Sequence, residues 1–377
     1  MSRKKVVVAM SGGVDSSLAA VLLKEQGYDL IGITLRQWVP EEYEELELPE
    51  RACCSLSSVE DARRVAQKLE IPYYVLNFRQ AFHDEVVTRF VAGYQRGETP
   101  NPCIACNRYI RFDRLYRKAM ELGADYVATG HYASIERDPR GRYLLKRAKD
   151  ESKDQSYMLY TINQDQLAHT LYPLGGMTKV HARSLARQYG LDVAEKPDSQ
   201  DICFVPDGDY RRFLSSYLGQ PPIPGPMMDT QGKTVGQHTG LIHYTVGQRK
   251  GLGISSAHPL YVVDIRPESN TVVVGGKDEL AAFDLECYDM NFIPFDRLER
   301  PMTVEAKVRY RGIPSRAIIS PIDACRCHVH FLSPQRAITP GQAVVFYDGD
   351  LVVGGGTIAK HPVRSRDQLQ GDEQTWG

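Results

Sequence analysis

The run KVVVAMSGGVDSSLAAVLL, residues 5–23, constrains the fold more than any other part of this chain. An apolar stretch without charges, Val6 to Met10, reads as a strand buried on both faces. It runs into Ser11-Gly12-Gly13-Val14-Asp15-Ser16, and a helical pattern begins at once. A buried strand joined to a helix by a tight glycine turn is half of a parallel strand–helix–strand unit, which places helices on both faces of a sheet. Glycines let the turn tighten and let the backbone approach a ligand. The N–H groups of the turn and of the helix N-terminus then face an anion. Ser11, Ser16 and Ser17 add hydroxyl donors, so phosphate binding is favoured over a plain serine-capped turn. Asp15 has the wrong sign for phosphate unless Mg2+ lies between them. No Gly-Lys-Ser/Thr follows, so this is not a Walker loop.

The alternation continues. Strands are expected at 28–35, 73–78 and 125–130, and helices at 16–27, 57–70, 82–97, 108–123, 178–190 and 210–219. Residues 37–52 are acidic and read as a solvated excursion. PPIPGP, 221–226, reads as a break that neither a helix nor a central strand tolerates. Beyond it, short alternating segments such as YVVDI, TVEAKVRY, CRCHVHF and AVVFYDG predict an antiparallel β module closing into a small barrel. The expected partition is a catalytic α/β domain at 1–206, a central domain at 207–282, a β-barrel at 283–361 and a frayed tail at 362–377.

With 46 Lys and Arg against 47 Asp and Glu, net charge gives no sign of nucleic acid, which would need its basic residues sorted onto one face. Two segments do concentrate them. Arg137, Arg140, Arg142, Lys146, Arg147, Lys149 and Lys153 crowd one. Arg108, Arg111, Arg114, Arg117 and Lys118 stud the helix at 108–123. VVVAM is too short for a signal h-region and no stretch approaches a membrane span, so a cytoplasmic protein is expected.

Eight cysteines in 377 residues do not make a disulfide scaffold. Cys103 and Cys106 form a C-x-x-C in a loop, TPNPCIACN, that leads into a helix. Asn101-Pro102 imposes an extended or turn approach. A helix N-terminus with Arg108 and Arg111 behind it favours a thiolate. A zinc half-site would need a second pair, and CRCHVHF does not supply one, because Cys325 and Cys327 share one strand face and His328 and His330 the other. Cys325, Cys327, Cys287 and Cys53-Cys54 are expected to be buried. Cys203, in ICFV, taken alone reads as a core residue of a buried strand.

SGGVDS matches the loop of the ATP-pyrophosphatase superfamily, whose members adenylate an oxygen and let a nucleophile displace AMP. TPNPCIACNRYIRF, ATGHYA, KDQSYMLY, DSQDICF, HYTVGQRKGLGI and TPGQAVVFYDGDLVVGGGTI together resemble the tRNA-specific 2-thiouridylase family, from Val6 to about Ile358. The resemblance implies ATP-dependent thiolation of C2 of the anticodon wobble uridine. It makes Cys106 the nucleophile and Cys203 the persulfide carrier, joined in a disulfide after turnover. Ala9, Met10, Ser11, Gly12, Gly13, Val14, Asp15 and Ser16, with Leu35 and Gly130, match the nucleotide site. Asn101, Pro102 and Cys103 match target-base contacts; His131, Lys153, Asp154, Gln155, Tyr310, Arg311 and Gln342 match tRNA contacts. Many family members carry Asp where this chain has Cys103. The third thiol opens a second version, in which Cys103, Cys106 and Cys203 ligate a [4Fe–4S] cluster. A monomer is expected, with tRNA and a cysteine desulfurase or sulfur relay as partners. The rival expectation is an amidotransferase or ligase sharing SGGVDS, which would need no cysteines.

Overall fold

The computed structural model describes residues 3–40, 56–198 and 202–360. The acidic excursion, Cys53-Cys54 and the C-terminal tail lie largely or wholly outside them. Seven strands belong to the first half: β1 (Lys5–Ala9), β2 (Asp29–Arg36), β3 (Tyr73–Asn77), β4 (Tyr126–Ala128), β5 (Ser134–Arg137), β6 (Tyr143–Lys146) and β7 (Thr170–Leu171). Five of them form a parallel sheet in the order β3-β2-β1-β4-β7. β1 lies at its centre, and Val6, Val7 and Val8 are fully buried. Alternation sends them to two separate cores: Val7 faces Ile33, Phe90 and Ile110 on one side, whereas Val6 and Val8 face Val14, Ala62 and Val65 on the other. This is the doubly wound arrangement the β1 run demands. Its switch point lies between β1 and β4, where chain connections leave in opposite directions and ligands bind beyond the strand ends.

The central sheet contains β8 (Gly225–Asp229), β9 (Thr234–His238), β10 (Tyr261–Arg266) and β11 (Thr271–Gly275) in the order β10-β11-β8-β9. The Pro-rich break is here corrected, because Gly225-Pro226 begins β8, an interior strand. Pro226 is tolerated because pairing with β11 starts only at Met227, so no N–H is missed on that side. The β8–β11 pairing is also parallel, in a module the pattern made antiparallel.

The last six strands are β12 (Ala281–Phe292), β13 (Met302–Lys307), β14 (Ser315–Pro321), β15 (Arg326–Arg336), β16 (Ala343–Asp348) and β17 (Leu351–Ile358). They pair antiparallel in the order β12-β15-β14-β13-β16-β17, and β12 pairs with β17 to close the barrel. Cys287 and Cys327 sit opposite each other in its core. Burial pushes the Cys287 thiol far above its ordinary range, so it is inert. Cys325 departs from expectation. It is exposed in the turn before β15, where its N–H donates to Asp323.

The barrel is seated on the catalytic domain. The hairpin β5–β6 extends its sheet through a single rung, Lys146 to Leu351. In β17 a Cβ on Gly355 would meet the Tyr160 ring at 2.8 Å, so the catalytic domain lies directly on barrel backbone. Asn291 Nδ2 donates to the carbonyls of Tyr160 at 2.6 Å and Ile162 at 3.1 Å.

Candidate active site

The loop Met10–Gly13 leaves the C-terminal end of β1, and the helix Val14–Glu25 follows. Gly12 has φ +70°, and a Cβ there would lie 2.1 Å from the carbonyl oxygen of Ser58. Only glycine satisfies both the left-handed backbone and that contact. Gly130 follows β4 and faces the same loop, with a virtual Cβ 2.6 Å from the carbonyl carbon of Asp15 and from the N of Ser16. The switch-point crevice is therefore walled by the β1 and β4 loops in contact. Ser16 Oγ accepts from the Ser11 N–H at 3.1 Å and donates to the Gly13 carbonyl at 3.2 Å, which sets the turn. Leu35, on β2, is buried in the core that Val7 faces.

Asp15 has a partner that the sequence reading did not anticipate. Lys179 Nζ donates to both its oxygens, at 2.8 and 2.6 Å, and the Tyr132 hydroxyl donates to Oδ1 at 2.8 Å. The ammonium neutralises Asp15 without a metal. A Mg2+ on this carboxylate would have to displace Lys179, so the residues as arranged do not hold one. The same Lys179 Nζ lies 2.9 Å from Asp198 Oδ1. Asp198 also receives Arg183 Nη2 at 2.8 Å and Lys153 Nζ at 2.8 Å. Burial would raise the Asp198 carboxyl, but the hydrogen bonds from Lys153 and Lys179 outweigh it and hold it well below the usual carboxylate range. One signal for Lys179 was present in the sequence: it opens the helix Lys179–Gln188, where a cation opposes the helix dipole and needs an external reason.

The C-x-x-C does not lie in a loop. Asn101 caps a helical turn, Pro102–Ala105, accepting from the N–H groups of Cys103 at 3.0 Å and Ile104 at 3.4 Å, with Pro102 at the first helical position. Cys106 opens the wide-turned stretch Cys106–Leu115 that continues it. Cys103 is exposed, and Cys106 is buried, with Gln37 Nε2 3.9 Å from its sulfur.

ICFV is a turn rather than a strand, closed by the Val205 N–H on the Ile202 carbonyl at 2.9 Å. Phe204 fixes it, fully buried against Phe82, Phe90 and Phe213 with ring centroids 5.9, 5.4 and 5.2 Å away. Cys203 is thereby left half-buried against the hydrophobic cluster that contains Cys106, Leu35 and Val7. The fold thus gathers the two thiols on one core, under the C-terminal ends of β1 and β2. No disulfide joins them here.

The arginines behind Cys106 are engaged elsewhere. Arg108 forms an ion pair with Asp289 of the barrel. Arg111 Nη1 donates to Asn107 Oδ1 at 3.0 Å and lies 3.3 Å from His131 Nε2. Arg114, Arg117 and Lys118 pair with Glu85, Asp113 and Glu121. In the second basic segment Arg140, Arg142, Lys146, Arg147 and Lys153 pair with Asp138, Asp296, Glu136, Glu305 and Asp198. The expected cationic stripes are therefore largely matched by carboxylates. His131 is buried, and burial together with Arg111 pushes its imidazole down to about 3. It is neutral, and because Arg111 can only donate, Nε2 accepts and Nδ1–H donates to Thr129 Oγ1 at 2.8 Å.

Asp154 is buried and accepts from the N–H groups of Ala148 and Ser156, both at 3.1 Å. Gln155 Oε1 accepts from the Tyr132 N–H at 2.9 Å. Gln342 Nε2 donates to the Thr99 carbonyl at 2.6 Å, and the Thr99 N–H donates to the Pro340 carbonyl at 2.8 Å. The barrel thus buttresses TPNPC. Tyr310, with Arg311 next to it, is raised by burial first and then by Asp154, and the Cys103 thiol contributes as well. Among the described residues no group of three His, Cys, Asp or Glu side chains converges on a metal position, so Cys103, Cys106 and Cys203 as placed do not fit a [4Fe–4S] cluster.

A doubly wound sheet with a glycine-rich phosphate loop at its switch point, and two thiols packed on one of its two cores, defines an ATP-binding α/β enzyme of the pyrophosphate-loop class. Residues 4–207 match the tRNA methyl transferase HUP domain, 211–276 the tRNA methyl transferase PRC-barrel domain and 284–358 the aminomethyltransferase beta-barrel domain. The chain is 55% identical to a tRNA-specific 2-thiouridylase MnmA of Clostridium perfringens, over 95% of this chain and 99% of the relative. It is 54% identical to that of Acetivibrio thermocellus, over 95% and 100%. It is 51% identical to that of Clostridioides difficile, over 95% and 98%. The chain belongs to the tRNA-specific 2-thiouridylase family.

Proposed function

We propose that this chain uses ATP to replace O2 of the wobble uridine in tRNA anticodons with sulfur. We propose further that it acts as a cytoplasmic monomer of three domains, 1–206, 207–282 and 283–361, loaded with sulfur by a cysteine desulfurase or relay protein. The observation that carries the reading is that Cys106 and Cys203, nearly a hundred positions apart, pack on one core cluster, against which Ala9 at the end of β1 also packs.

Uracil O2 is a poor leaving group. Its attack on the α-phosphorus of ATP expels pyrophosphate and leaves C2 bonded to an oxygen that departs as AMP. The N–H groups from Gly12 to Ser16, the dipole of the helix Val14–Glu25 and the Lys179 ammonium stabilise the charge that builds on the phosphates. The terminal sulfur of a Cys203 persulfide then attacks C2 and AMP leaves. The Cys106 thiolate attacks Cys203 Sγ, breaks the bond to the transferred sulfur and closes a Cys106–Cys203 disulfide, and the sulfur departs on the base. An external thiol resets the disulfide.

C2 is covered in a stacked duplex, so the base must be splayed from a loop, which fits an anticodon. Asn101, Pro102 and Cys103 present the helix N-terminus to it, with Tyr310, Arg311 and Gln342 of the barrel beside them. The internal bonds of His131, Asp154 and Gln155 support roles in shaping this surface, while Lys153 is partly exposed and pairs with Asp198. The test is transfer of labelled sulfur from a loaded enzyme to tRNA with MgATP. Cys203→Ser and Cys106→Ser are each expected to abolish transfer while pyrophosphate release survives. Transfer by Cys203→Ser refutes the reading.

A further inference from the structure

Cations without partners gather on one hairpin of the barrel. β13 and β14 pair from Met302–Ile319 to Ala306–Ser315. Residues 302–321 carry Lys307, Arg309, Arg311 and Arg316 against a single carboxylate, Glu305. Glu305 stands opposite Arg316 in register, yet its carboxylate lies 3.5 Å from Arg147. Among the described residues, none of the four hairpin cations forms an ion pair or a side-chain hydrogen bond. The basic segments of the catalytic domain, by contrast, are largely matched.

Lys307 is the member whose placement demands a cause. Arg309, Arg311 and Arg316 are exposed, whereas Lys307 is half-buried. Its Nζ lies 5.8 Å from the ring centroid of Tyr157 and 5.7 Å from that of Tyr310. Those rings are themselves 6.0 Å apart. The carboxylate that faces the ammonium is Asp154, and it is already engaged. Its Oδ1 accepts from the N–H groups of Ala148 and Ser156, and its Oδ2 from the Ser156 hydroxyl at 2.8 Å. Burial pushes the ammonium below the ordinary lysine value, Asp154 opposes this, and the like charge of Arg147 adds to it. Taking an ammonium out of water without a direct partner is costly. Two ring faces at nearly 6 Å return only part of that cost. The site is built for an anion.

Its position says which anion fits. Ile104 and Tyr157 share one core cluster, and Tyr310 packs against it. Ile104 lies between Cys103 and Cys106. Lys307 therefore stands across two tyrosines from the C-x-x-C turn, where the target base has to arrive. A base splayed from a loop keeps a phosphate on each side of it. Beyond Lys307 the chain turns, with the Gly312 N–H on the Arg309 carbonyl at 2.9 Å, and this holds Arg309 and Arg311 in water on the same hairpin. A strand of RNA offers such a row a series of anions, whereas a single carboxylate would answer one of them.

We infer that Lys307 is a phosphate contact for tRNA that seats the backbone beside the target uridine, with Arg309 and Arg311 continuing the backbone track along the hairpin. This rests on the tRNA reading above and deepens it by naming the seat. Phosphate contacts fix register and carry no sequence information. The seat thus sets where the base falls on the Cys103–Cys106 turn and leaves its choice to other groups.

The experiment measures binding of an unmodified tRNA transcript, with uridine at the wobble position, to the full-length enzyme over a series of salt concentrations. Lys307→Met is expected to weaken binding about tenfold near 0.1 M salt and to lower the slope of log Kd against log salt by about one. Lys307→Arg is expected to restore the slope. Tm of Lys307→Met should stay level or rise, because an uncompensated half-buried charge has been removed. Should that variant not fold, acetylation of Lys307 in wild type by acetic anhydride, read by mass spectrometry, is expected to slow several-fold with tRNA. A slope unchanged in Lys307→Met, or labelling indifferent to tRNA, overturns the inference. That holds also where loading of sulfur into the enzyme is slowed, which would mark the hairpin as a protein-docking surface. A loss of MgATP affinity in Lys307→Met, by dialysis, would assign the ammonium to nucleotide and overturns it too. Failure of wild type to bind the transcript overturns it together with the tRNA reading.

Discussion

Gly12 and Gly13 are neighbours in the same motif, yet the structure assigns them different tolerances. Gly12 has φ +70°, and a Cβ would sit 2.1 Å from the Ser58 carbonyl oxygen, 2.7 Å from its carbon and 2.9 Å from its Cα. Gly13 has φ −95° and meets only Ser11 Oγ, at 3.6 Å. Alanine at Gly12 therefore carries about 1–2 kcal/mol for the left-handed backbone. It also has to push the helix Leu56–Lys68 outward by about an ångström, a distortion of the kind that costs ~1–3 kcal/mol. The sum is about 2–5 kcal/mol. At ~2–4 °C per kcal/mol for a domain of this size, Tm falls by on the order of 10 °C. Alanine at Gly13 costs at most about 1 kcal/mol, a cap-position preference. Thermal unfolding of both variants, with nucleotide binding by dialysis, is the assay. Gly12→Ala is expected to lose stability and binding together, and Gly13→Ala to stay near wild type in Tm. A Gly12→Ala that melts within a degree or two of wild type, or a Gly13→Ala that falls as far, refutes the argument from backbone space.

Three further outcomes are expected. The folded-state imidazole of His131, pushed down to about 3, lies below its unfolded value, so protonation favours the unfolded chain. Stability is retained above pH ~6.5 and lost as pH falls toward 3, by about 1.4 kcal/mol per unit for this group. Urea unfolding at pH 7.5 and 5.5 should show that excess loss in wild type and not in His131→Gln. Gln342→Ala removes the bond that seats the barrel on Thr99 and should raise KM for tRNA several-fold at constant nucleotide affinity, as steady-state kinetics would show. Phe204→Ala empties a fully buried aromatic site and should cost ~3–5 kcal/mol in chemical unfolding, with sulfur transfer falling further than pyrophosphate release because Cys203 loses its neighbour's anchor.

The parallel sheet was legible because its signal is local: Val6 to Met10 and the glycine turn after them admit few other folds. The motifs that place Cys106 and Cys203 were legible as a resemblance, while the local reading of ICFV as a strand failed because a buried phenylalanine pins a turn as readily as it fills a strand. The helical start at Pro102 was missed because Asn101-Pro102 signals a turn and a helix cap with the same two residues. Asp15's partner was out of reach for a different reason. Lys179 stands in another helix, and only tertiary folding shows that a lysine, rather than a metal, answers the loop carboxylate. The ion pairs of the basic segments were not legible, because sequence counts charges but does not show which carboxylates face them.

The seam at Gly355 has a consequence for biosynthesis. Tyr160 is made early, and the backbone that covers its ring is made roughly 200 residues later. At about 5–20 residues per second the nascent catalytic half waits on the order of 10–40 s with an aromatic face uncovered on the ribosome. A chaperone that binds aromatic-rich surfaces would find its target in that interval, and a stop codon placed before β16 would leave the face bare for the life of the fragment.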